Sequence, residues 1–442
     1  MNKQIYFLGI GGIGMSALAY YFREQGYKVS GYDLTPSPMT EQLIKDGIAV
    51  HFSEDIAWLP PDIEFVVHTP AVSQTHAAYQ YFIKQGIPIY KRAEVLGMIA
   101  KGHPCIAVAG THGKTTTTAL IAHLLYPERK IMAFIGGISK NLNSNFITQK
   151  DFETMVVEAD EYDRSFLQLF PTTAIITSID ADHLDIYGKK ENMEETFQLF
   201  ANQIQEGGTL VIHEAMAEKI SHPHKVTYGF DPSSNYFADE ISFSPNRIRF
   251  DLHTPEITFP GMELGIGGKH NLLNALAAIA AIVHEYRRRN IPFDLWQLTT
   301  KPSDFQGVKR RFDYIVFRDD FIHIDDYAHH PAEITAFLTS VRQIFPDKKI
   351  TVIFQPHLYS RTRDFAPQFA QSLALADEII LLDIYPAREE PIEGVTSEWL
   401  LSLVPSNHKR LIQKSEFLSC INKEKPELLV TLGAGDIGSM IH

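Results

Sequence analysis

Cysteine is scarce: Cys105 and Cys420 are the two in 442 residues, too few for a disulfide framework. Long apolar runs are missing too. The longest helical one, Leu272 to Val283, falls short of the roughly 20 residues that a bilayer span needs. Basic charge is in deficit, with 40 Lys and Arg against 53 Asp and Glu and a net charge of −13, which argues against a nucleic-acid or anionic-membrane surface as the main partner. No repeat or low-complexity tract appears, and Met1 runs into a strand and a glycine turn without a signal-peptide pattern. What remains is a large globular enzyme, expected in the cytoplasm, with no nucleic-acid partner and no membrane insertion. A chain of 442 residues has room for about three domains, each with its own core.

The most informative stretch runs from Pro104 to Thr118, an apolar strand-like segment that breaks into Gly110-Thr111-His112-Gly113-Lys114-Thr115. Such a loop is built to hold phosphate. Its glycines let backbone N–H groups turn toward an anion, the following helix start adds its positive end, and Lys114 brings a cation. The hydroxyl of Thr115 suits a phosphate-bound magnesium ion, with Thr116 next to it at the helix start. The full G-x-x-x-x-G-K-[ST] pattern is not met, because Val108 stands where its first glycine belongs.

A second glycine loop follows the strand Ile5–Leu8: Gly9-Ile10-Gly11-Gly12-Ile13-Gly14, then a helix through Phe22, and Asp33 after the strand Tyr27–Tyr32. This spacing reproduces the dinucleotide fingerprint, so a nicotinamide-dependent dehydrogenase has to be weighed. The same turn will cradle any diphosphate.

Strand and helix patterns then alternate along the whole chain, which predicts an α/β fold of three domains. An amino-terminal Rossmann-like parallel sheet is expected over 1–98, a central P-loop ATPase-like α/β domain over 99–300, and a carboxy-terminal Rossmann-like α/β domain over 301–442. Predicted strands include Thr154–Glu158, Ala174–Ile179 and Thr209–His213, then Phe321–Ile324, Ile350–Phe354, Glu378–Leu382 and Leu428–Leu432. Several end in chemistry: Glu158-Ala-Asp-Glu161, Asp180-Ala-Asp-His183, Asp325-Asp-Tyr-Ala-His-His330, Gln355-Pro-His357 and Gly433-Ala-Gly-Asp436. Ligands of doubly wound sheets bind at that edge. Asn271 and Asn274, one turn apart near a helix start, share a face that suits an adenine edge, with simple N-capping as the alternative.

Taken together, these motifs resemble the Mur ligases, the three-domain ATP-dependent amide ligases of peptidoglycan synthesis. The resemblance rests on Gly110–Thr115, Glu158–Glu161, Asp182-His183, Gly268-Lys-His-Asn271, Phe305-Gln-Gly-Val-Lys-Arg-Arg-Phe312, Asp326-Tyr-Ala-His-His-Pro331, Gln355-Pro-His357, Ser360-Arg-Thr-Arg-Asp364 and Gly433–Asp436. It runs from the first strand to the last. Many relatives carry an arginine directly after the His of Gln-Pro-His, and here that position is Leu358. Arg361 and Arg363 become the candidates for holding an amino-acid carboxylate.

The resemblance implies ligation of L-alanine to the carboxylate of UDP-N-acetylmuramate with ATP and Mg2+, through an acyl phosphate, by a monomer or weak homo-dimer. Lys114 and the loop of Gly110, Thr111, His112, Gly113, Thr115 and Thr116 would hold the phosphates. Thr115 and Glu158 would ligate one magnesium ion, Glu158 and His183 a second. Arg310 would face the γ-phosphate, Asp326 the ribose and His329 the incoming amine, with Tyr327 also binding substrate. The UDP-sugar would lie against Gly11, Gly12, Ile13, Gly14, Asp33, Thr69, Pro70, Ala71 and Arg92, with His112 between it and the reacting carboxylate.

Rival readings account for less. A dehydrogenase uses only residues 1 to 33, and a nucleotide-sensing module leaves the Arg, His and acid clusters of the last third idle. Within the family, a recycling ligase that adds a whole tripeptide to the same sugar is the nearest alternative, although Gln355–Arg363 is more similar to members that add L-alanine.

Overall fold

The structure is a computed structural model that describes residues 4–179, 190–387 and 389–440. Two compact units divide the chain. The first comprises Met1–Phe237, His253–Ile257 and Asn274–Lys301, the second Ala238–Leu252, Thr258–Leu273 and Pro302–His442.

The first unit opens with five parallel strands, β1 (Gln4–Leu8), β2 (Lys28–Tyr32), β3 (Ala49–His51), β4 (Ile63–His68) and β5 (Ile89–Lys91). Their order is β3-β2-β1-β4-β5. Tyr6, Phe7 and Leu8 are all buried, as expected for a parallel strand covered on both faces. The order reverses between β1 and β4, which opens a crevice where the glycine turn leaves β1.

The rest of the first unit is a mixed sheet of β6 (Cys105–Ala109), β7 (Ile131–Ser139), β8 (Ser144–Thr148), β9 (Thr154–Glu158), β10 (Thr173–Ile176), β11 (Thr209–His213) and β12 (Lys225–Gly229), ordered β12-β11-β10-β6-β9-β7-β8. Pairing is parallel except between β7 and β8. β6 therefore lies between β9 and β10, and its carboxyl-end loop is flanked by the ends of both. The helix Lys114–Leu125 that follows begins with a run of threonines, poor helix formers because of their β-branching. Burial sustains it: Leu120, Ile121, Leu124 and Leu125 are enclosed, each worth about 1.5–3 kcal/mol, and Thr118 Oγ1 bonds the Lys114 carbonyl at 2.8 Å.

The strands β13 (Tyr236–Ser244), β14 (Arg247–His253) and β15 (Thr258–Leu264) are successive neighbours, and the second unit takes in their Ala238–Leu252 and Thr258–Leu264 portions. A six-stranded sheet follows: β16 (Asp313–Phe317), β17 (Ile322–Asp326), β18 (Ile350–Phe354), β19 (Glu378–Leu381), β20 (Lys409–Leu411) and β21 (Leu428–Leu432), ordered β16-β17-β21-β18-β19-β20 and parallel apart from β16. Because β21 sits between β17 and β18, the loops after all three emerge side by side. The helix Pro331–Ile344 starts sharply after β17, with proline in its first turn and a capping box between His330 and Glu333. Among the described residues no helix is long and apolar enough to cross a membrane.

Candidate active site

Lys114 is the centre of the first unit's site. Its Nζ donates to the carbonyls of Gly110 at 2.6 Å and Thr111 at 3.3 Å, and lies 2.8 Å from Glu161 Oε2. Burial works against its charge, but the carboxylates of Glu161, Glu158 and Asp160 outweigh that and hold the ammonium above the ordinary lysine value. The loop is fixed from β10: Thr177 N bonds Ala109 O at 3.0 Å, and Ser178 Oγ meets Thr111 Oγ1 at 2.8 Å and the His112 amide at 3.0 Å. Gly110 and Gly113 have φ of 134° and 82°, a region L side chains rarely adopt. A Cβ on Gly113 would run into Asn274 Oδ1, and one on Gly110 into Thr177. Thr115 and Thr116 are buried in the first helical turn.

A cleft of about 260 Å³ begins at the other glycine turn, where Gly12, Ile13, Gly14 and Thr69 line it with Arg92. Its far wall carries Gly136, Glu158 and Asp160. Glu158 Oε2 accepts from the Gly136 amide at 3.0 Å, and Arg92 Nη2 reaches Asp160 Oδ2 at 3.1 Å. Asn145, on β8, bonds Ile13 O at 2.7 Å and Ser16 Oγ at 3.0 Å, tying the helix start after the glycine turn to the sheet that bears the phosphate loop. Asp33 serves the turn itself: its oxygens accept from Gly11 N at 2.7 Å and Leu34 N at 2.8 Å. Pro70 and Ala71 are exposed in the turn after β4.

In the second unit, Arg310 sits among the three adjacent loops. Nε pairs with Asp325 at 3.1 Å, Nη2 donates to Gly433 O at 2.6 Å and Nη1 to Gly435 O at 3.3 Å. Its guanidinium and that of Arg311 lie over the Tyr327 ring at 5.2 and 5.0 Å. Asp325 is fully buried, and burial pushes its carboxyl up despite Arg310 and a 2.7 Å bond from Thr431 Oγ1. Burial also pushes Asp326 up, to about 7, while its oxygens take the amides of Phe312 at 2.7 Å and Ala328 at 2.8 Å. His329 Nδ1 is 2.9 Å from Tyr327 O. A carbonyl only accepts, so that nitrogen carries a ring hydrogen, and Glu333 Oε2 lies 3.3 Å from the same nitrogen. Gln355, buried between loops, bonds Asp436 at 2.7 Å and the Ile437 amide at 2.9 Å. Leu358 adopts φ 71° at the head of the helix Tyr359–Asp364. On that helix Arg361 is 9 % exposed, whereas Arg363 is solvent-exposed and pairs with Asp364 at 2.7 Å.

Three family models match in succession: Mur ligase family, catalytic domain over 4–104; Mur ligase middle domain over 108–282; and Mur ligase, glutamate ligase domain over 310–433. A UDP-N-acetylmuramate–L-alanine ligase of Flavobacterium psychrophilum is 46 % identical over 442 residues, 99 % of this chain and 96 % of its own. The chain belongs to the Mur ligase family. Among solved structures, a UDP-N-acetylmuramate-alanine ligase from Thermotoga maritima has a TM-score of 0.83 at 28 % identity, covering 99 % of this chain and 97 % of that one. A murein peptide ligase from Psychrobacter arcticus has a TM-score of 0.71 at 26 % identity, covering 100 % and 97 %. This Mur ligase is accordingly an ATP-dependent, amide-bond-forming enzyme.

The Mur ligase brings Lys114, Thr115 and Asn274 together around the phosphate loop, places Glu158 and Arg92 on one cleft, and gathers Arg310, Asp326 and Tyr327. The Asn271 side-chain amide donates to Gly267 O at 2.7 Å. His183 lies outside the described residues. Sequence reasoning passed over Glu161, Ser178, Asn145 and Asp325 as site residues. Glu161 and Asp325 sat inside quoted motifs, so the signal was present; Asn145 and Ser178 carry none beyond residue type.

Proposed function

We propose that the chain joins L-alanine to the carboxylate of UDP-N-acetylmuramate, with ATP converted to ADP and phosphate. The observation that carries this reading is the cleft shared by the two glycine loops' surroundings. It runs from Gly12–Gly14 to Glu158 and Asp160, and Glu158 ends β9, the strand paired with β6, from whose carboxyl end the Gly110–Thr115 loop leaves, so a sugar nucleotide seated on the first turn would point its far end toward that loop. A dehydrogenase gives that connection no purpose. Full-length identity to L-alanine ligases and the higher TM-score against the alanine ligase than against the murein peptide ligase favour L-alanine over a tripeptide. Dependence on ATP and a UDP-sugar favours the cytoplasm as the site of the reaction.

The chemistry asks mainly for positioning and neutralised charge. A carboxylate oxygen of the sugar attacks the γ-phosphorus, the bond to the β-phosphate oxygen breaks and ADP leaves. The amine of L-alanine then attacks the acyl carbon, the C–O bond to phosphate breaks, and the nitrogen gives up a proton. Lys114 and the loop amides would hold the phosphates, Arg310 the γ-phosphate charge, and His329 Nε2 the amine's proton. Thr115 and Glu158 offer the oxygen donors that magnesium prefers. No cluster of three or more His, Cys, Asp and Glu suited to a metal occurs among the described residues. Bound there, the ion would neutralise phosphate charge.

Phosphate release should require UDP-N-acetylmuramate and L-alanine together, with glycine and L-serine as slow side substrates, since one methyl or hydroxyl in a small pocket changes discrimination by only about 1–3 kcal/mol. Faster release with the tripeptide than with L-alanine would overturn the reading. Arg361 is the buried candidate for the L-alanine carboxylate, its fork suited to that geometry. In the same assay Arg361→Ala should raise the KM for L-alanine while leaving that for ATP near wild type; an unchanged KM for L-alanine moves the amino-acid site elsewhere.

A further inference from the structure

Three acids share the segment after β9, and each has a different destination. Glu158 takes the Gly136 amide and Asp160 takes Arg92. Glu161 turns inward, 1 % exposed, with its two oxygens 3.0 and 2.8 Å from Lys114 Nζ. An ammonium has three N–H bonds, and here Glu161, Gly110 O and Thr111 O accept from them. The chain just beyond is held in an unusual shape, with Asp163 and Arg164 at φ of 52° and 55°. Such backbone persists only where its surroundings fix it, and Lys91 does so through Asp163 at 2.8 Å.

A nucleotide phosphate in this loop receives a hydrogen bond from Lys114 only if one of those three acceptors gives it up. The two carbonyls are neutral, and the carboxylate is the competitor of like charge to the phosphate. We propose that Glu161 is a positioning residue that competes with nucleotide phosphate for the Lys114 ammonium, and so limits how tightly ADP is held. The proposal rests on the reading of Gly110–Thr115 as the nucleotide-phosphate loop. Its consequence is that a tighter grip on phosphate, which would lower the KM for ATP and also slow ADP release, is deliberately weakened from inside the protein.

The test is calorimetric, with ADP and adenosine titrated into the full chain in the presence of magnesium. Glu161→Gln keeps the shape and one acceptor oxygen but removes the charge. ADP affinity should rise about tenfold, the size of one charge-assisted hydrogen bond regained, and adenosine affinity should stay put. In a Lys114→Ala background the same exchange should leave ADP affinity unchanged, because its effect passes through the ammonium. Glu161→Asp, with its carboxylate one methylene back, should fall between wild type and the Gln variant, and carries the test if the Gln variant does not melt cooperatively. Unchanged or weaker ADP binding in the charge-altered variant, an equal gain for adenosine, or an equal gain without Lys114 would each overturn the proposal. Weakened but still measurable ADP binding in Lys114→Ala alone, with adenosine binding kept, reports separately on the loop's assignment, so the two failures are distinguishable.

Discussion

Lys114→Ala should lower ATP-dependent turnover by roughly 100- to 1000-fold, the range in which single preorganised electrostatic contacts to a transition state fall. Substrate binding at the first glycine turn, whose cleft is lined by residues other than Lys114, should survive. The variant also strands the Glu161 carboxylate, 1 % exposed, and a buried charge without its partner is costly. The double variant Lys114→Ala, Glu161→Gln should therefore melt higher than Lys114→Ala yet remain equally slow. Wild-type-like turnover in Lys114→Ala would remove the loop from the chemistry altogether.

Arg310→Ala should combine a loss of turnover with a pH-dependent loss of stability. Asp325 is fully buried and Arg310 is its ionic partner at 3.1 Å. Removing one member of a buried pair typically costs about 3–5 kcal/mol, which for a unit of this size lowers the melting temperature by roughly 6–20 °C. Burial already raises the Asp325 carboxyl and Arg310 opposes that rise, so the variant's carboxyl lies higher still. A group raised on folding adds stability below its unfolded value and loses it as pH climbs through the folded one. The deficit should accordingly be larger at pH 8 than at pH 5.5, as Asp325 takes up a proton on the acid side. A melting deficit that is absent, or the same at both pH values, would show that Asp325 does not depend on Arg310 for its charge.

Much of the fold was legible because its strands are short apolar runs closed by glycine or acid. Thr154–Glu158, Thr209–His213, Ile350–Phe354 and Leu428–Leu432 have the bounds that pattern alone predicts. The β7–β8 pair escaped it. Ile131–Ser139 is interrupted by Gly136-Gly137, and its partner is Ser-Asn-Phe-Ile-Thr; only pairing across the chain makes either a strand. The site was legible by residue type and illegible by destination. Asp33 has the spacing of a ligand-binding acid, yet its oxygens close the Gly11 and Leu34 amides. Asp326 likewise engages two main-chain amides. In Glu158-Ala-Asp-Glu161 the segment offers three carboxylates in four residues, and nothing local decides which of them turns toward Lys114. Gly136 holds Glu158 and Arg92 holds Asp160, both partners contributed from outside the segment.

The proposed reading of the cleft from the first glycine turn to Glu158 requires that the sugar's carboxylate itself attack ATP. That step leaves an isotopic trace. With UDP-N-acetylmuramate carrying 18O in its carboxylate, turnover with ATP and L-alanine should deliver one labelled oxygen to each phosphate released, because the acyl C–O bond is the one broken when the amine attacks. Mass spectrometry of the phosphate reads this directly. Label in the phosphate is the expected result, and phosphate that carries none, with amide product formed all the same, would contradict the proposed joining of the two sites.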